Sequence, residues 1–357
     1  MWLKSLQAQN LRSFENFSLA FSPDINFFIG DNGAGKTSIL EAVDVLSRGK
    51  SFRSASLKHI ANYNDPRLTL FSELQANDGN TTQLGVQCHN NVTELKINRE
   101  KVKKWSSLAT FLPVIDIHPE SYTLITGAPS ERRRFLAWGT FHVEPSFLQA
   151  WSAYHRALKQ RNSCLKERNI EQARNWHPVL AESGEAITRL FEQYTQQLIP
   201  YVHELLGEFE LPEDIQLQFL SGYNNQSLLQ QLEKELENQL VPTATTCGPQ
   251  RSDIQITWNG HTFAKTSSRG QQKVLAMTLK LAQARLLSHT QDKPSVYLID
   301  ELPAELDEKH CLNALNIIRH LKSQAFITSV SNDRISGFTG SATKTFHVER
   351  GHVSEMV

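Results

Sequence analysis

Apolar residues recur along this chain at several spacings, and each spacing marks a different kind of segment. Near the N-terminus Phe17, Leu19 and Phe21 occupy every second position, as in a strand with one buried face. Ser22-Pro23-Asp24 then interrupts the pattern with turn-forming residues. The run Ile25-Asn26-Phe27-Phe28-Ile29 that follows predicts a short strand buried on both faces. Residues 68 to 74, 83 to 88 and 92 to 97 read as further strands, with turns at Asn77-Asp78-Gly79-Asn80 and His89-Asn90-Asn91. Together they predict an antiparallel meander attached to the sheet of the 25–29 strand.

From about residue 130 the spacing becomes helical. Phe147, Trp151, Tyr154, Leu158 and Leu165 recur at intervals of four, three, four and seven. After the His177-Pro178 break, Leu180, Ile187, Phe191, Tyr194, Leu198 and Val202 continue with a similar period. Two antiparallel helices are expected, each roughly 20 to 30 residues or about 30 to 45 Å long, with the aromatic stripe as their shared core. A third helical stretch covers 227 to 240 and stops at Val241-Pro242. Mixed structure resumes at 248 to 258. Residues 266 to 289 then run from a polar loop into an amphipathic helix, and Val296-Tyr297-Leu298-Ile299 and Ala325-Phe326-Ile327-Thr328 read as buried strands. The fold class is α/β: a mixed-sheet head with a meander, formed by residues 1–130 and 241–357, into which a helical arm, 131–240, is inserted.

Composition narrows the class. Lysine plus arginine and aspartate plus glutamate are 37 each, so contact with nucleic acid has to come from local clusters rather than bulk charge. No apolar run approaches the ~18 residues of a membrane span, and the opening MWLKSLQAQNLRSF lacks the apolar core of a secretion signal. Cys88, Cys164, Cys247 and Cys311 are scattered without a C-x-x-C pair, which points away from a zinc site or disulfide framework and towards a cytoplasmic protein.

Residues 30 to 37 read GDNGAGKT, a complete G-x-x-x-x-G-K-[ST] loop between the 25–29 strand and an apolar helical run. Gly30, Gly33 and Gly35 allow the backbone N–H groups of Gly30, Asp31, Asn32, Gly33, Ala34, Gly35, Lys36, Thr37 and Ser38 to curl around phosphate, and the following helix turns its positive end to the same anion. Lys36 would reach the β- and γ-phosphates of ATP, and Thr37 would hold Mg²⁺. Asp300, at the end of the 296–299 strand, is a second candidate for Mg²⁺, and Glu301 beside it for general base. Asp300 lies 264 residues beyond Lys36, far more than in small GTPases or nucleotide kinases. Ser268, Gly270 and Gln271 stand at the mouth of the 266–289 helix, where a serine caps free N–H groups and a glycine permits close approach.

This order resembles an ABC-type ATPase head of the SMC-like branch. The segments NLRSFENFSLAFSPDINFFIGDNGAGKTSILEAV, GKSFRS (49 to 54), GAPSERRRFLAWGTFHVEPSFLQAW (127 to 151), ALKQRNSCL (157 to 165), GPQRSDI (248 to 254), SSRGQQK (267 to 273) and YLIDELPAELD (297 to 307) are similar, end to end, to the RecF family. That resemblance implies an ATP-dependent homodimer in which Ser268, Gly270 and Gln271 contact the γ-phosphate held by the other subunit. It further implies binding to duplex and gapped DNA, cooperation with RecR and RecO in loading RecA, support of SOS induction, and weak DNA-stimulated ATP hydrolysis used as a switch. No membrane partner is expected. DNA contacts are expected from Arg132, Arg133 and Arg134 and from Arg48, Lys50 and Arg53, with Lys101, Lys103 and Lys104 as a third cluster.

The chain departs from family habit at Ala137, where an acidic residue is common, and at Asp300-Glu301, which reads Asp-Asp in some relatives. No histidine follows the Ile327-Thr328 strand, and VIDIHPES (114 to 121) stands where a glutamine loop is expected. A transporter subunit would carry both of those features, a nuclease would need a further acidic metal-binding domain, and a chromosome-organising SMC protein would need a far longer arm.

Overall fold

Asn26 lies fully buried in the middle of its strand, and its side chain shows why the preceding turn is needed. Its amide donates to the Ser22 carbonyl at 2.9 Å and its carbonyl accepts the Ser22 N–H at 2.8 Å, so the 22–24 turn satisfies a polar group inside an apolar sheet. The computed structural model in which this is seen describes all residues except 55, 77, 91, 225–226, 238–241, 302–306, 331–342 and 357. The end of the expected third helix and the boundary at 240 therefore fall outside the described residues.

By its internal contacts the chain divides into two units, Met1–Ser121 with Leu287–Val357, and Tyr122–Leu286. The divisions fall at 121 and 286, where the sequence reading drew them at 130 and 240. Residues 242–286, including the 266–289 loop and most of its helix, thus group with the arm.

The first unit contains β1 (Trp2–Leu11), β2 (Phe14–Ala20), β3 (Ile25–Ile29), α1 (Lys36–Arg48), β4 (Leu68–Gln75), β5 (Thr81–His89), β6 (Val92–Ile97), β7 (Glu100–Val102), α2 (Trp105–Ala109) and β8 (Val114–Ile117). The second contains α3 (Thr123–Thr126), α4 (Pro129–Val143), α5 (Phe147–Lys166), α6 (Ile170–Arg174), α7 (His177–Glu208), β9 (Gln216–Leu220), α8 (Leu228–Glu237), β10 (Asp253–Trp258), β11 (His261–Thr262), α9 (Phe263–Thr266) and most of α10 (Arg269–Gln291). The chain then returns to the first unit with β12 (Val296–Ile299), α11 (Glu308–His320), β13 (Gln324–Ser329), β14 (Lys344–Glu349) and β15 (His352–Met356).

Two sheets build the first unit. One runs β15-β14-β3-β13-β12-β8, parallel throughout except for β15 at its edge. The other, β2-β1-β4-β5-β6-β7, is antiparallel. The meander therefore joins β1 and β2 in a sheet of its own rather than extending the sheet of β3, because β4 pairs along β1 from Trp2↔Gln75 to Gln9↔Thr69. The core includes inward residues of the antiparallel sheet, α1 residues such as Ile39 and Val43, and Phe28, Phe326 and Phe346 of the parallel sheet. Phe21 packs edge-on against Phe326 at 4.8 Å, and Phe28 stacks with Phe346 at 5.2 Å. Such aromatic pairs add about 0.5–1.5 kcal/mol each beyond burial.

In the second unit α5 and α7 lie antiparallel. Phe147 meets Phe191 at 5.6 Å between ring centroids, and seven residues further along α5 Tyr154 meets Gly184, seven residues back along α7. A Cβ at Gly184 would approach the Tyr154 ring to 2.9 Å and Leu228 to 2.6 Å, so this crossing requires glycine. The aromatic stripe is core, as its period predicted: Phe147, Tyr154, Phe191 and Tyr194 are buried. Arg161, fully buried, was not anticipated; it pairs with Glu235 at 3.1 Å and donates to Thr245 at 2.7 Å.

His177, the first residue of α7, is also buried. Its Nδ1 lies 2.8 Å from Glu233, while its Nε2 has no hydrogen-bond partner among the described residues. Burial holds this imidazole below its ordinary pKa of 6.5, against the pull of Glu233. Between that lowered value and 6.5 the unfolded chain binds more protons than the folded one, so stability falls as pH drops through this window. Urea unfolding from pH 7 to 5 is expected to show a declining midpoint in the native chain and a flatter one in His177→Leu. Glu233 keeps Arg174 as a partner at 3.0 Å in that variant.

Candidate nucleotide-binding site

Parallel pairing brings the functional strand ends to one edge. Ser329 of β13 is level with Ile29 of β3, and Ile299 of β12 is level with both Ile327 and Ile117. Gly30, Asp300, Thr328 and His118 therefore emerge together at the carboxyl end of the sheet, the usual ligand position in open α/β folds.

Two glycines of the 30–37 loop are held by close contact, Gly30 against backbone and Gly35 against the Phe14 ring of β2, which an added Cβ would approach to 2.8 Å. Gly30 has no positive φ, but a Cβ there would lie 2.1 Å from the Val348 carbonyl oxygen. Gly35 also acts through conformation: at φ 113° it caps α1, and no side chain caps that helix. The N–H groups of the first turn are thus directed into the loop without a side-chain acceptor. Lys36, buried, folds back to donate to the carbonyls of Gly30 at 2.6 Å and Asp31 at 2.9 Å. Burial lowers its pKa, while Glu301, Asp300 and Asp31 oppose the shift.

Thr37 and Asp300, each expected to hold Mg²⁺, are brought together. The threonine hydroxyl lies 2.9 Å from one carboxylate oxygen and 3.2 Å from the other. Thr328, not singled out as a site residue beforehand, organises the pair beside it. Its hydroxyl donates to Asp300 at 2.8 Å and accepts the Glu301 N–H at 2.8 Å. Glu301 takes φ 57°, rare for a residue with a side chain. A hydroxyl directly after the apolar run Ala325-Phe326-Ile327 was the signal for Thr328.

Lys36, Thr37, Asp300 and Glu301 line a cleft of about 1160 Å³ that also includes Arg12, Phe52, Arg53, Tyr63 and His118. His118 comes from the VIDIHPES segment, stacks on Phe52 at 5.3 Å and lies 3.2 Å from Asp116. Arg12, at φ 51°, donates to buried Glu41 of α1 at 2.7 and 3.1 Å, and Glu41 also accepts from Ser51 at 2.7 Å. Among the described residues no three His, Cys, Asp or Glu side chains converge on a metal position. A cation beside Thr37 and Asp300 would therefore take most of its ligands from phosphate and water, which suits Mg²⁺.

The basic residues fare differently. Arg48 is engaged by Asp44 at 2.5 Å and Asp116 at 2.8 Å, which raise its pKa. Arg53 is exposed and lines the cleft, and Lys50 is half-buried. Arg132 grips Asp253 at 2.6 and 2.9 Å, Arg133 donates to the Ser252 carbonyl at 2.9 Å, and Arg134 pairs with Glu131 on the surface at 2.8 Å. Lys101 pairs with Glu94 at 2.5 Å, while Lys103 and Lys104 are exposed.

In the second unit, Ser268 and Gln271 form a reciprocal cap on α10. The Gln271 N–H donates to the Ser268 hydroxyl at 3.2 Å, and the Ser268 N–H donates to the Gln271 side chain at 2.9 Å. Among the described residues the space above Gly270 is open, with nothing closer than 3.9 Å to an added Cβ.

Residues 2–354 match the RecF/RecN/SMC N-terminal domain family. The chain is 36% identical to the DNA replication and repair protein RecF of Pseudomonas aeruginosa (strain LESB58), over 99% of this chain and 98% of that protein. The chain belongs to the RecF family. Its fold is that of RecF and SMC heads. A solved structure of the recombination mediator RecF with ATP, from the RecFOR pathway, covers 100% of this chain and 98% of its own at a TM-score of 0.88 and 24% identity. The Smc head domain of Pyrococcus furiosus, bound to the C-terminal domain of ScpA, gives 0.58 at 14% identity over 99% and 96%. Among the described residues of this RecF-family chain no helix is long and apolar enough to cross a membrane.

Proposed function

We propose that this chain is an ATP-gated DNA-binding protein of recombinational repair and replication restart. The observation that carries the reading is the junction of Lys36, Thr37 and Asp300 at one end of the parallel sheet, with Thr328 fixing both Asp300 and Glu301. Bound ATP with Mg²⁺ supplies a polyanion that two subunits can share and a bond whose hydrolysis releases them. Lys36 and the loop N–H groups hold the phosphates, Thr37 and Asp300 hold the cation, and Glu301 takes the proton of the attacking water. Ser268, Gly270 and the positive end of α10 meet the γ-phosphate held by the second copy.

By family, the homodimer binds duplex DNA at single-strand gaps and, with RecR and RecO, promotes RecA loading and SOS induction in the cytoplasm. Hydrolysis is weak and DNA-stimulated, serving as a switch. Sizing by light scattering tests the reading. Mass is expected to double with ATP on gapped duplex and to stay monomeric with ADP; a monomer under every condition overturns it.

A further inference from the structure

Glu41, Asp44 and Arg48 share one face of α1, at spacings of three and four. Both carboxylates are fully buried. Apolar side chains often pack such a position as well or better, so stability alone does not account for buried ion pairs. What the three residues hold does account for them. Glu41 accepts from the Ser51 hydroxyl at 2.7 Å. That hydroxyl in turn accepts the N–H groups of Arg53 at 3.1 Å and Ser54 at 2.9 Å, which closes the turn that carries Phe52. Arg48 spreads its guanidinium between two carboxylates, with Nε 2.5 Å from Asp44 and Nη1 2.8 Å from Asp116. The other oxygen of Asp116 lies 3.2 Å from His118 Nε2, and His118 Nδ1 accepts the Glu120 N–H at 3.3 Å. The imidazole so oriented stacks on Phe52 at 5.3 Å. Contacts therefore run from the helix that carries Lys36 and Thr37 to two rings that line the nucleotide cleft. His118 directly follows Ile117, whose carbonyl accepts the Asp300 N–H at 2.8 Å, so the ring is anchored beside the carboxylate end of the site.

We propose that Arg48 is a positioning residue of the nucleotide cleft, acting through Asp116 to set the His118 ring against Phe52, and is not a contact to DNA. This rests on the nucleotide-binding reading above and adds residues to that site. The guanidinium suits the task because its nitrogens diverge in a fixed plane and reach two carboxylates at once, whereas a lysine ammonium is a single point charge on a flexible stem. With both nitrogens engaged and the side chain only 20% exposed, little of Arg48 is left for an outside phosphate. A wall held in place beforehand spares the nucleotide the cost of ordering it on binding.

The test uses the full chain, a fluorescent ATP analogue with Mg²⁺, and separately a fluorescent duplex at saturating ATP. Arg48→Lys keeps a cation between Asp44 and Asp116 but cannot span them. It is expected to melt as the parent does, to lose roughly tenfold in nucleotide affinity, and to bind duplex as the parent does once ATP saturates. In a His118→Ala background the same substitution is expected to cost nothing further, because the ring it positions is gone. Should Arg48→Lys fail to fold, Asp116→Asn is expected to give the same fall in nucleotide affinity and the same silence beside His118→Ala. Parental nucleotide affinity in Arg48→Lys overturns the proposal, and a loss of duplex affinity in its place returns Arg48 to the DNA surface. An equal fall with and without the His118 ring also overturns it, because Arg48 would then act on the fold at large. Absence of nucleotide binding by the unaltered chain overturns the reading on which the proposal rests, and the proposal with it.

Discussion

Lys36→Ala is expected to abolish ATP binding, lowering affinity at least ~100-fold in calorimetric titration. The ammonium is the one lysine charge in the loop, and its bonds to phosphate would be charge-assisted, the strong class of hydrogen bond. A loss of about 3 kcal/mol corresponds to that change in affinity. In the protein without nucleotide the same nitrogen holds the Gly30 and Asp31 carbonyls at 2.6 and 2.9 Å. Those carbonyls belong to a loop whose Asp31, Asn32 and Gly33 are exposed, so water replaces the lysine when it is removed. The variant should fold and melt close to the parent. Undiminished affinity would show that the loop is not the phosphate site.

The loop was legible because everything it needs is local: a buried strand, glycines at fixed offsets and an uncapped helix. The Asp300-Glu301 pair was legible for a related reason, as two carboxylates closing an apolar run. What joins them was not. β3 lies between β13 and β14, strands some 300 residues away in sequence, and no local pattern encodes that pairing. For the same reason the meander was assigned to the wrong sheet: alternation reports which face of a strand is buried, not which strand lies beside it.

Charge runs were the least informative feature. Three arginines in a row look alike in sequence, but Arg132 has a carboxylate 121 positions away and Arg134 has one three positions away. Arg48 likewise meets Asp116, a residue of the VIDIHPES strand. The same limit hid Arg12 and Glu41, whose bidentate pair ties the β1–β2 turn to α1. Fold and nucleotide chemistry follow from patterning and loop geometry; the allocation of surface charge needs the tertiary partners.

Ser268→Arg is expected to leave ATP affinity within about twofold of the parent and to eliminate ATP-dependent dimerisation. The residue belongs to the unit Tyr122–Leu286, whereas Lys36, Thr37 and Asp300 belong to the other, so the substitution does not alter a side chain of the phosphate loop. Two effects have to be separated. Replacing the serine removes a cap, since its hydroxyl accepts the Gln271 N–H at 3.2 Å, and losing such a cap costs about 1 kcal/mol. That cost is shared by Ser268→Ala, which adds no bulk. The arginine also extends a long cation over the open space above Gly270, where a second subunit's γ-phosphate is proposed to sit. If bulk at the shared site is the cause, the alanine variant retains ATP-dependent doubling on gapped DNA, at somewhat higher protein concentration, and the arginine variant stays monomeric at every concentration. If both variants double equally, the helix mouth is a cap and nothing more, and the shared-site mechanism fails. If both lose dimerisation equally, the cap itself holds the interface, and the role assigned to open space above Gly270 has to be withdrawn.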